Sequence, residues 1–258
     1  HAVKNGSSLH LFGLLGSGTV HSRLDHLLTL MDMAKRQSVP KLFLHLLTDG
    51  KDSGLQEGPS IVQKIQDHIA GIGVGTIATI IGRYYGMDRD NNWDRTQTAY
   101  DLMTSGKGEA AGDVTAALRE YYRQGLTDTK MSAIVADSRG LIQDKDAIIF
   151  FNFREDSMRQ ISRPFVDPKF DKFPRKNFSD LWITLMTQYL EEPDFQLHIA
   201  FPLPVVKNGL AEILSASGKR QLHVAETEKF AHTTYFFNCL HNEPYSGESD
   251  ILIESYKK

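Results

Sequence analysis

Apolar blocks alternate along this chain with polar, glycine-containing loops. Leu9-His10-Leu11-Phe12-Gly13-Leu14-Leu15 reads as a buried strand, followed by the loop Gly16-Ser17-Gly18-Thr19-Val20-His21-Ser22. Leu24, Leu27, Leu28, Met31 and Ala34 then recur three and four residues apart, which predicts a helix with Ser22 as its cap. After Pro40, Leu42-Phe43-Leu44-His45-Leu46-Leu47 predicts a second strand, ending in Thr48-Asp49-Gly50-Lys51-Asp52. Ile61, Ile65 and Ile69 mark a helix over 60–72, and the β-branched run Thr76-Ile77-Ala78-Thr79-Ile80-Ile81 a third strand.

Beyond it, the pattern predicts helices over 93–103, 113–122, 179–189 and 207–217. It predicts strands over 146–153, 197–201, 222–225, 233–237 and 251–253. The segment between Pro164 and Pro174 is punctuated by prolines and reads as an irregular flap. The repeated order of strand, polar loop and helix predicts an α/β fold in three layers, a mainly parallel sheet with helices on both faces. No repeat, low-complexity tract or clean linker divides the chain, so a single domain over 1–258 is expected.

Charge and cysteine content narrow the partners. With 258 residues and a formal net charge of -3, the chain is long enough for a full core and lacks the basic excess of a nucleic-acid binder. Cys239 is the sole cysteine, and no apolar run approaches the roughly 18 residues that cross a bilayer. A cytoplasmic protein without membrane or nucleic-acid partners is expected. His1-Ala2-Val3-Lys4-Asn5-Gly6 reads as the last turn of a helix ended by glycine, so the chain is expected to begin mid-protein.

The third strand closes on Gly82-Arg83-Tyr84-Tyr85-Gly86-Met87-Asp88-Arg89-Asp90. Arg83 and Arg89 flank a turn-prone segment, so both guanidinium groups are placed to converge on one anion, with Asp88 or Asp90 left to hold an arginine. Planar guanidinium donors match carboxylate and phosphate oxygens in pairs. An isolated pair of this kind also fits a surface loop with ordinary ion pairs. Other strand ends deliver His21, then Asp49, Lys51 and Asp52, then Arg154, and finally Lys229. A doubly wound sheet brings such ends to one edge, where they would form a receptor for a small polyanion. The glycines of residues 13–18 lack the spacing of a phosphate loop, and the histidine spacing offers no metal site.

Taken together, several segments resemble cofactor-independent phosphoglycerate mutase. They are Ser8-Leu-His-Leu-Phe-Gly-Leu-Leu15, Val20-His21-Ser22, Asp49-Gly50-Lys51-Asp52, Gly82-Arg-Tyr-Tyr-Gly-Met-Asp-Arg-Asp90, Phe150-Phe-Asn-Phe-Arg154, Lys207-Asn208 and Ala225-Glu-Thr-Glu-Lys229 with His232. The resemblance covers the family's inserted phosphotransferase, or substrate-binding, domain. It implies an enzyme that interconverts 2- and 3-phosphoglycerate in glycolysis through a phosphoserine intermediate. The serine and two divalent metal ions, manganese being expected, would belong to a phosphatase-like domain absent from this chain. No cofactor is therefore expected in the chain itself, and a monomer is expected.

By motif, His21, Asp52, Arg83, Arg89, Arg154 and Lys229 fall on substrate-binding positions, with Asp52 and Lys229 taking catalytic roles. Three departures stand out: Gly16-Ser17-Gly18-Thr19 replaces Ser-Asp-Gly-Gly, Lys51 replaces an arginine, and Ser157 stands where a second arginine is expected. They leave open a non-catalytic or divergent module that binds phosphorylated acids. A phosphatase-type enzyme acting on another phosphorylated acid also remains open.

Overall fold

A computed structural model describes residues 1–190, 193–202, 206–227 and 229–255, so Glu228 of the last motif lies outside the described residues. The chain separates into two compact units, His1–Pro202 and Leu203–Lys258.

In the first unit, α1 (Ala2–Asn5) ends at Gly6, whose left-handed backbone matches the expected glycine terminator. There follow β1 (Ser8–Leu15), α2 (Leu24–Arg36), β2 (Lys41–Thr48), α3 (Gly58–Ile72), β3 (Thr76–Gly82), α4 (Arg83–Gly86) and α5 (Trp93–Ser105). Next come β4 (Glu109–Ala110), α6 (Val114–Arg123), β5 (Ile134–Val135), β6 (Ala147–Phe150), α7 (Arg159–Val166), β7 (Trp182–Leu185) and β8 (His198–Ile199). The strands form one sheet in the order β4-β5-β3-β2-β1-β6-β7-β8. Every neighbouring pair is parallel except β3 with β5.

The central strands are apolar on both faces because helices cover both. Leu11, Leu44 and Leu46 pack with Leu27 and Met31 of α2 and with Val62 and Ile65 of α3. Phe12, Leu14, Leu47 and Phe150 pack instead with Tyr100 and Met103 of α5 and Ile161 of α7. Each such fully buried side chain contributes about 1.5–3 kcal/mol. The expected three-layer α/β architecture is what forms.

Three local expectations are corrected. Residues 179–189 hold strand β7 rather than a helix, because Trp182-Ile183-Thr184-Leu185 finds a partner in β6. Tyr189 then buries its ring and donates its hydroxyl to the carbonyls of Phe150 and Asn152, at 3.1 and 2.5 Å. Ser22 does not cap α2; its hydroxyl donates to the Leu14 carbonyl at 2.7 Å and closes the loop after β1.

The third correction lies in the second unit, which contains α8 (Leu210–Ala216), β9 (Gln221–Glu226), α9 (Phe230–Thr233) and β10 (Glu248–Ile253). Residues 233–237 are not a strand there: the amides of Thr234 and Phe236 bond back to the carbonyls of Phe230 and Ala231. Local turn bonds win because, among the described residues, no strand pairs with this segment to reward its β-branched and aromatic composition. β9 and β10 pair in parallel. Among the described residues, no helix is long and apolar enough to cross a membrane.

Candidate functional site

The carboxyl ends of β1, β2, β3 and β6 open onto one cleft of about 330 Å³ in the first unit. Backbone chemistry places each side chain. Gly50 takes φ 63° in the turn after β2, and Asp49 Oδ1 accepts from the amides of Lys51 and Asp52, both at 3.1 Å. At the end of β3, a Cβ on Gly82 would lie 2.4 Å from the Thr129 carbonyl oxygen, so only glycine permits that approach. The chain then turns straight into α4, which starts on Arg83. The loop after β6 is tied to the loop after β1 by the Phe153 amide, which donates to the His21 carbonyl at 2.8 Å.

Arg83 sits at the bottom of the cleft, its side chain 10% exposed. Its Nη1 donates to Asp49 Oδ1 at 2.5 Å and to Asp52 Oδ2 at 2.6 Å. Its Nη2 lies 3.1 Å from His21 Nε2. A guanidinium only donates, so Nε2 accepts and the ring proton resides on Nδ1. That proton faces Ser157 Oγ at 3.0 Å. Burial, and next the Arg83 charge, lower the His21 pKa and keep the ring neutral. Burial alone would raise the Asp52 carboxyl, but the Arg83 hydrogen bond and charge outweigh it and hold Asp52 below its ordinary value.

On the open side, Asp156 accepts from Arg89 Nη1 at 2.6 Å and from Arg154 Nη2 at 2.9 Å. Arg89 nevertheless stays 55% exposed. A guanidinium carries five N–H groups, so both arginines keep donors for a ligand. Burial of Asp156 is again outweighed by arginine charge, that of Arg154 foremost, and its carboxyl is lowered. Lys51, Arg83, Arg89, Arg95 and Arg154 line the cleft together with Asp52, Asp88 and Asp90, whereas Asp49 and Asp156 stand behind the arginines. The surface offered to a ligand is cationic on balance, with five cations against three carboxylates, and Asp52 lies beside the neutral His21.

Five of the expected site residues, His21, Asp52, Arg83, Arg89 and Arg154, therefore line one cleft. Lys229 belongs to the second unit, where its amide donates to the Glu226 carbonyl and it stands immediately before α9. Asp88 does hold an arginine, but that arginine is Arg95, at 2.9 Å. Asp88 also accepts from the Asn92 amide and so steadies the start of α5. Arg95 stacks over the Tyr84 ring at 4.0 Å. Asp156 and Arg95 escaped the sequence reading, and Ser157, noted there only as a missing arginine, is the hydroxyl partner of His21. Asp156 carried a usable signal, since it lies two residues beyond Arg154 at a strand end.

In the second unit, His223, Glu248 and Asp250 place ligand atoms within 4.8 Å of one another, a group able to hold a divalent cation.

Comparison with known proteins adds an independent line. Residues 1–191 match the family described as BPG-independent PGAM N-terminus. The 2,3-bisphosphoglycerate-independent phosphoglycerate mutase of Moorella thermoacetica is 41% identical over 99% of this chain and 50% of its own length. The corresponding protein of Cyanothece sp. is 43% identical over 98% of this chain and 47% of its own. A crystal structure of Leishmania mexicana phosphoglycerate mutase at low cobalt concentration superposes with a TM-score of 0.83 and 26% identity, covering 100% of this chain and 50% of that one. The chain spans about half the length of the curated relatives it matches.

Proposed function

Because the chain belongs to the BPG-independent phosphoglycerate mutase family, we propose that its cleft is the substrate-binding half of such an enzyme, holding 2- or 3-phosphoglycerate while they interconvert. The observation that carries this reading is the convergence of His21, Asp52, Arg83, Arg89 and Arg154 on one small cationic cleft. Arg89 and Arg154 offer paired donors to a phosphate or carboxylate. Asp52, ionised against Arg83, accepts a hydrogen bond from a glycerate hydroxyl and orients it. With its pKa held down it is a weak base, so orientation is its main contribution. Lys229 is proposed to neutralise the phosphoryl group in transit.

The phosphoserine intermediate and two metal ions, manganese in this reading, are assigned to a phosphatase-like domain of the same cytoplasmic, monomeric enzyme. Those ions would supply Lewis-acid charge there. The cleft of the present chain is lined by arginines and fits an anion. The partner domain also has a fitting surface: β9 and β10 expose Leu222, Val224, Ile251 and Ile253 on one face. The expected unit of function is thus the single substrate-binding domain plus that partner.

Ser157 favours a second reading, a divergent module for phosphorylated acids. It supplies a hydroxyl to His21 where a further guanidinium would have added charge.

The test is calorimetric titration of the chain with 3-phosphoglycerate, beside an Arg154→Ala variant. Saturable binding that weakens tenfold or more in the variant is expected, and no heat up to millimolar ligand would sink the proposal. Mutase turnover is expected only when the phosphatase-like domain is supplied. Tighter binding of a different phosphorylated acid would favour the second reading.

A further inference from the structure

The second unit holds a polar cluster that the cleft chemistry leaves unused. Parallel pairing of β9 with β10 sets His223 opposite Asp250, and Glu248, two residues before Asp250, shares that face. His223 Nδ1 lies 3.2 Å from Glu248 Oε1 and 3.2 Å from Asp250 Oδ1. Those distances suggest ion pairs, yet Nδ1 and Asp250 Oδ1 are both buried without a hydrogen-bond partner. A single ring N–H is aligned with neither carboxylate. His223 is only 9% exposed, and the Glu248 side chain 0%.

Asn238, 3% exposed, donates its Nδ2 to Glu248 Oε1 at 2.7 Å, while its own Oδ1 is buried and unpaired. The Tyr245 amide fixes the other Glu248 oxygen at 2.9 Å. Two carboxylates thus face one imidazole, and Asn238 and the Tyr245 amide orient Glu248 from behind.

We propose that His223, Glu248 and Asp250 bind one borderline divalent transition-metal cation, of which zinc is the type, independently of the phosphoglycerate cleft. Ligand atoms 3.2 Å apart, each about 2.1 Å from a common ion, subtend about 100° there, between octahedral and tetrahedral angles. One imidazole with two carboxylates selects zinc-like ions over magnesium or calcium, which take oxygen alone. Asn238 and the Tyr245 amide play the outer supporting part usual around metal ligands. The bound ion cross-links β9 to β10, a two-stranded sheet that has little stability of its own.

The test strips the 258-residue chain with chelator and titrates it with zinc chloride. Calorimetry, the thermal midpoint and the visible spectrum of Co²⁺ in place of zinc are followed. One equivalent of zinc, a midpoint that rises with zinc concentration and a ligand-field Co²⁺ spectrum are expected. His223→Gln and Asp250→Asn should each weaken binding tenfold or more while leaving 3-phosphoglycerate titration unchanged. No zinc binding by the folded chain overturns the proposal, as does binding that both variants retain, which would place the ion on exposed histidines. Should a variant fail to fold, histidine ring resonances of the unaltered chain decide. A zinc-induced shift of His223 supports the site, and shifts confined to other histidines overturn it.

Discussion

Two histidine networks run through the first unit, and they are built on opposite principles. In the interior, Asp146 accepts from His10 Nε2 at 3.0 Å, and His10 Nδ1 meets His45 Nε2 at 2.9 Å. His45 Nδ1 in turn meets Thr79 Oγ1 at 2.8 Å. All four residues are buried, and one direction of proton donation, from Thr79 through both rings to Asp146, satisfies every atom. Nothing is left over for a ligand. In the cleft, His21 likewise has partners on both nitrogens, but they are Arg83 and Ser157, which line open volume. The arginines around it keep spare donors. A closed network holds three strands in register, whereas a network centred on half-satisfied guanidinium groups is a receptor.

Removing Asp146 should break the closed network most severely. Asp146→Ala leaves the His10 ring and the amides of Ser8 and Gln143 without their acceptor, an expected loss of about 3–5 kcal/mol in urea unfolding. The folded fraction should still bind 3-phosphoglycerate with unchanged affinity. A loss under about 1 kcal/mol would mean that water replaces the carboxylate and that the interior network is not closed.

Arg89→Ala should do the reverse. Its loss is expected to weaken 3-phosphoglycerate binding roughly 10- to 100-fold, the value of one or two charge-assisted hydrogen bonds. The unfolding free energy should move by no more than about 0.5 kcal/mol, because Arg89 is more than half exposed. If stability falls as far as affinity does, the cleft arginines are structural and the contrast between the two networks fails.

Acid should act on both networks through their histidines. Burial, and then His10, hold His45 well below the ordinary histidine value, and His21 is lowered too. The unfolded chain takes up protons near pH 6.5 while the native rings stay neutral, so the unfolded state binds more protons. Stability is therefore full above about pH 6.5 and declines as pH falls toward the native pKa values. The slope is at most about 1.4 kcal/mol per pH unit for each histidine. The lowered carboxylates Asp52, Asp146 and Asp156 add their own loss only below the ordinary carboxylate value near pH 4. Urea midpoints between pH 7.5 and 5.5 should show the histidine slope, shallower in His45→Gln. An equal slope in that variant would assign the effect elsewhere.

The legible and illegible parts of the molecule divide along physical lines. Apolar runs long enough to span a sheet announce β1, β2, β3 and β6, and the polar residues just beyond them announce His21, Asp52, Arg83, Arg89 and Arg154. Two-residue strands such as β4 and β5 bury too little to leave a pattern. Residues 179–189 and 233–237 differ from their sequence expectation because a short apolar or aromatic run takes its conformation from whichever partner it finds. Arginine partners are a matter of three dimensions: the sequence leaves Asp88 or Asp90 to hold an arginine but does not point to Arg95. The His223, Glu248 and Asp250 group depends on the pairing of β9 with β10, a register that histidine spacing does not carry.

Ser157 makes the smallest and sharpest test, because it is the cleft's counterpart to the interior partners of His10 and His45. Its Oγ accepts the Nδ1 proton of a ring whose Nε2 already accepts from Arg83. Ser157→Ala leaves a buried N–H unpaired, an expected cost of about 1 kcal/mol in unfolding free energy. The ring also loses one of the two contacts that keep the proton on Nδ1, leaving Arg83 as the other. Once the proton moves to Nε2, that N–H faces the Arg83 donors, so Arg83 shifts and 3-phosphoglycerate affinity falls severalfold. Ser157→Thr, which keeps the hydroxyl, should restore both quantities. If Ser157→Ala changes neither, Arg83 alone sets the tautomer, and the cleft network depends on its guanidinium groups without help from the hydroxyl.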